Sequence, residues 1–290
     1  MEISNSINNV VFSGLEINIR RKKNGKIKTK MNGSAQYAVR ITILILCILT
    51  IYGFYTFDYK DLVFADASVK LLENLKTVFL HPKPSHFTLL EGVIEVVITL
   101  GLAFLTTLIG SAIALILGLF AAKNLSNVHI SNVIKAFIAF IRAVPTVLWV
   151  LIFAVSAGLG SVAAVIGLSL HSVAYLTKVY SESYEEIDSG VIEALKASGA
   201  SWWQIVFQAV LPSTSTSLLA WTFMRFEINF TNAVVMGAAA GAGGIGFNLF
   251  MAGSFYYDLP SIGVIAYLIL AFALLLEVFS TKMKNKYLSY

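Results

Sequence analysis

Glu193-Ala-Leu-Lys-Ala-Ser-Gly199-Ala-Ser201-Trp-Trp-Gln204-Ile-Val-Phe-Gln-Ala-Val-Leu-Pro212 is the stretch around which the chain is organised. Ser189 or Gly190 starts a first short helix, with Glu193 in its opening turn, where a carboxylate suits the positive helix end. Gly199 stops that helix, because glycine takes the left-handed conformation beyond a helix end without steric cost. Ser201 followed by Gln204 reads as a capping box opening a second helix. Pro212 marks a break near the end of that second helix. The local product is helix, tight turn, helix. Two readings compete: a DNA-reading module, or a rigid knob that docks on a protein partner. The flanks decide between them.

Outward from this stretch the sequence is apolar. The chain has 290 residues, 57% hydrophobic and 13% charged, where a soluble domain carries about 25% charged residues. The class is an all-α, polytopic membrane protein. Net charge is +5, and its placement says more than its sign. Eight basic residues fall within 20–40, and Lys282, Lys284 and Lys286 close the chain. Basic flanks stay on the cytoplasmic side, so both termini are expected inside and the number of spans even. Residues 189–212 hold one basic residue, Lys196, too few to grip phosphates. Nucleic acid is excluded as a partner, and the knob remains.

Six spans account for the pattern. Residues 1–37 form a polar, basic cytoplasmic tail with neither helical nor strand period, expected to be mostly disordered. Residues 38–57 form the first span, an uncleaved anchor of about the minimum crossing length, with Arg40 snorkelling to the edge. Residues 58–91 are an extracytoplasmic loop whose 62–80 part is amphipathic and suited to the membrane surface. The membrane core, residues 92–281, begins with a span at 96–122 rich in small residues that permit close helix approach. Residues 136–177 are long enough for two spans, with Gly158-Leu-Gly160-Ser161 as the outer turn between them. The loop 179–212 then returns to the cytoplasm carrying the opening motif. Residues 213–235 make the fifth span, 237–260 an outer glycine-rich segment, 261–279 the sixth span, and 282–290 a basic cytoplasmic tail. Cys47 is the one cysteine, so neither a disulfide framework nor a thiolate metal site is available.

The spacing of Glu193-Ala194, Gly199 and Leu211-Pro212 resembles the cytoplasmic EAA loop of ATP-binding-cassette (ABC) importer permeases, with Leu195 where a second alanine often stands. Further pieces resemble the phosphonate-import permeases in order and spacing. They are Arg142-Ala-Val-Pro145, Gly158-Leu-Gly160, His171 with Tyr175 and Lys178, Arg225-Phe-Glu227-Ile-Asn229 and Gly241-Ala-Gly243-Gly244-Ile-Gly246. The resemblance covers roughly residues 90–280. Thr231 and Ala239-Ala240 depart from the subfamily pattern and leave the exact ligand open among phosphonate, phosphate, phosphite and other anions. What the resemblance implies is a type I importer permease that works as a homodimer. It implies two cytoplasmic ATPase subunits holding ATP and magnesium, docked on Glu193, Ala194, Gly199, Ser201, Leu211 and Pro212. It also implies an external binding protein, a prokaryotic plasma-membrane location, and alternating access as the mechanism.

Charged groups inside the membrane each need a reason, since one costs about 2.5–3.5 kcal/mol at the bilayer centre. Arg225, Asn229 and Asn232 share one helix face by their spacing. Glu227 lies on another face and is expected to pair with a different helix. The stripe lines an anion route, or its charges only hold helices together; both readings stand. His171, Tyr175, Lys178 and Glu182 form a second stripe, either facing the same route or packed. Arg142 lies part-way into its span, free to snorkel outward or to join the route. Gly241, Gly243, Gly244 and Gly246 match a dinucleotide fingerprint in letters only, because no strand precedes them and no βαβ unit follows. Those glycines suit close backbone packing or an anion-binding nest.

Two rivals belong to other classes. An intramembrane enzyme needs a nucleophile with its base or paired metal ligands, and histidines stand only at 81, 86, 129 and 171 with no His-Glu-x-x-His. A secondary transporter without a motor leaves the docking knob unexplained. The chain also holds no Gly-x-x-x-x-Gly-Lys-Ser/Thr, so catalysis is expected in a partner and not here.

Overall fold

The computed structural model describes residues 33–57 and 63–287, with short strand segments at 11–12, 15–16, 18–21 and 27–30. It divides into two units, Met1–Ala67 and Ser68–Tyr290.

The first unit holds β1 (Val11–Phe12) paired with β2 (Leu15–Glu16), and β3 (Asn18–Arg21) paired with β4 (Ile27–Lys30), both antiparallel. No regular structure was expected within 1–37. The β3–β4 register sets Ile19 opposite Thr29. The remainder of the expected tail lies outside the described residues. Helix α1 (Gly33–Thr56) starts earlier than the apolar run suggests. It is long and apolar enough to cross a membrane. Its Thr42, Thr50 and Thr56 hydroxyls donate to carbonyls four residues back, which satisfies them where water is absent.

The second unit is built on α3 (Leu89–Ala121), α6 (Ser161–Glu185) and α9 (Leu211–Ala240). A capping box starts α3: the Thr88 N–H donates to Glu91 Oε2 at 2.7 Å and the Glu91 N–H to Thr88 Oγ1 at 3.2 Å. Small residues then let α6 lie against it. A Cβ on Gly110 would stand 2.6 Å from Ser172 Cβ, and one on Gly118 3.1 Å from Tyr180 Cβ. These pairs ascend together in number, so the two helices are parallel. α9 runs back between them.

One of the two spans read from 136–177 is a bent pair. α4 (Val128–Ala143) and α5 (Thr146–Ala157) meet at 87°. The break falls at Val144-Pro145, where the residue before proline is forced out of the helical region, and Val144 is extended. Trp149 Nε1 closes the elbow by donating to the Ile141 carbonyl at 2.9 Å. The other bent pair is α9 with α10 (Gly244–Phe250), at 44°. Counting each pair as one span, α1, α3, α4–α5, α6, α9–α10 and α11 (Leu259–Tyr287) give six among the described residues, and four without the pairs.

Pro212 does not break a helix. α8 (Trp202–Ile205) continues through one wide turn, Val206–Val210, directly into α9. In that turn the Leu211 N–H reaches five residues back to the Val206 carbonyl. Such a π turn relieves the clash between a proline ring and the carbonyl four residues before it. The glycine-rich segment after α9 is not a loop either. Gly241 ends α9 in the left-handed region at φ +63°, and α10 folds back against α9 and α3. Gly237 and Gly246 stand where any Cβ would strike the facing backbone, so the segment packs as helix on helix.

At the end of the unit where α3 begins, the 82–88 segment is latched to the turn before α11. The Lys83 N–H donates to the Pro260 carbonyl at 3.2 Å, and the Ser85 N–H to Ser261 Oγ at 3.1 Å. Ser261 Oγ donates to Asp258 Oδ2 at 2.6 Å, and His86 Nε2 lies 3.6 Å from the same oxygen. The ring of His86 stacks on Tyr256 at 4.1 Å. α2 (Phe64–Leu80) is tied beside this latch by Tyr267, whose hydroxyl donates to the Phe79 carbonyl at 2.7 Å.

Candidate translocation path and docking turn

α6 carries Ser169, Ser172, Thr177, Ser181 and Ser183 on buried faces. Its partly open positions run in one line, through Leu170, His171, Tyr175, Lys178 and Glu182, the helical spacing of a single stripe. This stripe is the one read from the sequence. Lys178 and Glu182 pair along it at 2.8 Å.

Behind the stripe lies a polar cluster joining α3, α6 and α9. Arg225 is 2% exposed and Asn229 fully buried. Arg225 Nε donates to Ser172 Oγ at 3.0 Å, its Nη2 stands 3.3 Å from His171 Nδ1, and its guanidinium lies 5.2 Å above the Tyr175 ring. Asn229 Nδ2 donates to Thr107 Oγ1 at 2.8 Å and to Ser172 Oγ at 2.9 Å. Arg225 has no carboxylate partner among the described residues. A buried guanidinium balanced only by neutral groups is costly to hold and is a ready electrostatic partner for an anion. His171 and Tyr175 touch it and reach the open stripe. The geometry therefore places a buried cation behind two side chains that reach the open stripe.

The expected residues divide. Arg225 and Asn229 come together with His171 and Tyr175. Asn232 is partly exposed, and its side chain makes no hydrogen bond among the described residues. Glu227, expected to pair with another helix, has no ion pair among the described residues; it points away from the cluster because residues two apart face opposite sides. Arg142 is exposed in the last turn of α4 at the elbow. Gly244 lies against Thr99, whose Oγ1 accepts the Ile245 N–H at 3.0 Å. Gly241 and Gly243 take positive φ with open space where a Cβ would stand, whereas Gly244 and Gly246 are closely packed. Sequence reasoning missed Ser172 and Thr107, whose small hydroxyls complete the cluster. No periodic signal marks them, since each looks like any small residue on an apolar helix.

The turn from Asp188 to Ile205 is built as its letters suggest, with one change. α7 (Ser189–Ala197) is capped by Asp188, whose side chain accepts the Gly190 N–H at 2.9 Å. Asp188, not Glu193, supplies the carboxylate at the positive end, and Glu193 stands exposed beyond the first turn. Gly199 is left-handed at φ +85°. Its N–H donates to the Lys196 carbonyl and the Ala200 N–H to the Leu195 carbonyl, both at 3.0 Å, the paired bonds of a Schellman turn. Ser201 and Gln204 form the capping box. Ile192 and Ile205 are buried beneath the turn, and Trp202 Nε1 donates to the Leu125 carbonyl at 2.8 Å. Glu193, Ala194, Gly199, Ser201 and Pro212 are exposed, with Leu211 partly covered. The result is a fixed knob with a free outer surface.

Residues 114–288 match the family model described as binding-protein-dependent transport system inner membrane component. The chain belongs to this family. Among curated relatives, the phosphate-import permease protein of Mycolicibacterium smegmatis is 33% identical over 153 residues, 52% of this chain and 29% of that protein. The phosphite transport system permease protein of Stutzerimonas stutzeri is 29% identical over 231 residues, 79% of this chain and 83% of that protein. The match therefore spans under a third of the first relative and most of the second. Among solved structures, an inward-facing methionine ABC transporter aligns with TM-score 0.60 at 23% identity, over 68% of this chain and 95% of that one. That likeness fixes the fold. The family is one of non-catalytic membrane subunits.

Proposed function

We propose that this permease carries phosphonate, phosphite or phosphate inward across the plasma membrane as the translocating half of an ABC importer. The observation that carries this reading is Arg225, a buried guanidinium with no carboxylate beside it, reached from the open α6 stripe through His171 and Tyr175. The names of the phosphate- and phosphite-importing relatives support the same solute class. A path that is open along one helix of a single chain is half a path, which supports a homodimer with the two α6 stripes facing each other. Two ATPase subunits, holding ATP and magnesium, dock on the 188–212 knob from the cytoplasm, and an external binding protein delivers the anion at the 82–88 and 256–261 end. Both termini are then cytoplasmic, with 1–37 a tail, 38–57 an anchor, 58–91 outside, 92–281 the core and 282–290 a closing tail. Closure of the ATPases moves the two knobs together and exposes Arg225 first to one side and then to the other.

The test is uptake by proteoliposomes holding the permease, its ATPase and its binding protein. ATP-dependent, saturable uptake of phosphite or methylphosphonate is expected, and Arg225→Gln in an assembled complex is expected to lower it by at least tenfold. Undiminished uptake in that variant removes the anion role of Arg225. A second reading, methionine import, is favoured by the methionine-permease relatives at 26–30% identity. Saturable methionine uptake with no oxyanion uptake establishes that reading instead.

A further inference from the structure

Seven residues along α6 from His171, about 10 Å at the helical rise, stands a second cationic group. A cleft of about 250 Å³ opens between α4 and α6, lined by Lys135, Arg142, Lys178, Ser181, Glu182 and Glu185. Two of its three cations are engaged. Lys135 Nζ pairs with Glu185 Oε1 at 2.7 Å, and the Lys123 N–H donates to that same oxygen at 2.8 Å. Lys178 pairs with Glu182 at 2.8 Å. Arg142 has no ion pair among the described residues, so the lining carries one uncompensated positive charge. It projects from the last turn of α4, held at the mouth of the cleft by the 87° elbow.

We propose that this cleft is a second anion station, which receives a phosphorus oxyanion between Arg225 and the docking-turn side of the permease. The inference rests on the transport reading above and adds a site to it. Arg142 supplies the planar fork that matches two oxygens of such an anion. Lys178 is the recruitable cation, because its pair with Glu182 is half exposed and such pairs are weak enough to exchange. Glu185 is fully committed to Lys135 and the Lys123 N–H and keeps Lys135 in place. Glu182 repels a bound anion once Lys178 leaves it. That repulsion makes the station a place to pass through, since a site on a path must release what it binds. Lys178 sits on the same stripe as His171 and Tyr175, so the two stations share one open seam.

A lipid phosphodiester offers the same chemistry as a free oxyanion, and the experiment separates the two. In a Cys47→Ala background, Ala139→Cys places a thiol on the exposed lining of the cleft. The rate of its modification by a water-soluble maleimide is measured in the assembled complex. Inorganic phosphate and methylphosphonate are the probes, with the complex held either in phospholipid-free detergent or with added phosphatidylglycerol. Protection by either free oxyanion in detergent is expected. Arg142→Gln and Lys178→Gln should each weaken it roughly tenfold, the order of one charge-assisted hydrogen bond. Both variants should cut maximal uptake while leaving the external half-saturation concentration unchanged. Protection by phosphatidylglycerol alone overturns the proposal in favour of a lipid site, and absence of protection by any probe overturns it outright. Failure of the Arg225 reading shows separately, as unaltered uptake in Arg225→Gln, however the thiol at position 139 reacts.

Discussion

Asn229 fastens three helices through one side chain, and Arg225 one turn away does the opposite: it is a charge with no carboxylate partner among the described residues. The two were legible together from their spacing of four, but their roles were not. The distinction came from partners on α3 and α6 that lie more than fifty residues away in sequence. Asn229→Ala removes the bonds to Thr107 and Ser172, whose hydroxyls keep fallback acceptors in the Ala103 and Leu168 carbonyls. No buried donor is stranded, so the cost is the interhelical bonds alone, about 1–2 kcal/mol. The thermal midpoint of the purified complex should drop by a few degrees, and Asn232→Ala should leave it unchanged. Asp258 belongs at this scale too. Burial alone would raise its carboxyl pKa, but the Ser261 side chain and backbone, Ser85 and nearby His86 hold it below the ordinary carboxylate value. A depressed folded value means the latch is at full strength above the unfolded value of about 3.9 and is lost as pH falls through the folded one. Hydrogen exchange at residues 83–86 should therefore stay slow at neutral pH and accelerate only in strong acid. In Asp258→Asn it should be fast at every pH.

Among the elements, the docking turn was the most legible and the helix that leaves it the least. Gly199, Ser201 and Gln204 act within a few residues of themselves, so their chemistry can be read from letters. The wide turn 206–210 was hidden because Pro212 is compatible with a break or with a π turn, and only packing of Val206 and Val210 under the knob chooses the second. That turn fixes the rotation of the knob relative to α9. Deleting Gln208 should restore ordinary helical pairing and swing the knob by about 100°, one residue's worth of rotation. The permease should still insert, and ATP hydrolysis should no longer drive uptake. Gly199→Leu attacks the same coupling from the other side, by placing a side chain where φ is +85°. Its cost is about 1–2 kcal/mol of local strain, and the expected signature is retained ATPase turnover with uptake reduced many-fold. Normal uptake in both variants would remove the knob from the coupling route.

At the scale of the whole molecule, composition pointed to the class and charge placement to an even number of spans, while the shape of the polar stripe stayed invisible. Pro145 allows a kink beside it, but a fully apolar helix carries no face in its sequence, so neither the 87° size of the elbow at Val144-Pro145 nor the inward fold of α10 could be foreseen. Both matter, because α10 fills one side of α9 and the elbow holds Arg142 beside α6. The consequence is that α6, the most buried of the long apolar helices, keeps a single open stripe with its hydrophilic groups in line. If that stripe is a water-lined seam, thiols placed on it will report water where thiols on other faces of the same helix will not. In a Cys47→Ala background, Tyr175→Cys should react with an impermeant maleimide in the nucleotide-free complex. Val173→Cys, on a buried face, should remain unreacted. Trapping the ATPases in their closed state should change the side of the membrane from which the thiol at position 175 is reached, because alternating access moves the opening and not the stripe. Equal reactivity at 173 and 175, or reactivity at neither, would mean that α6 lines no path.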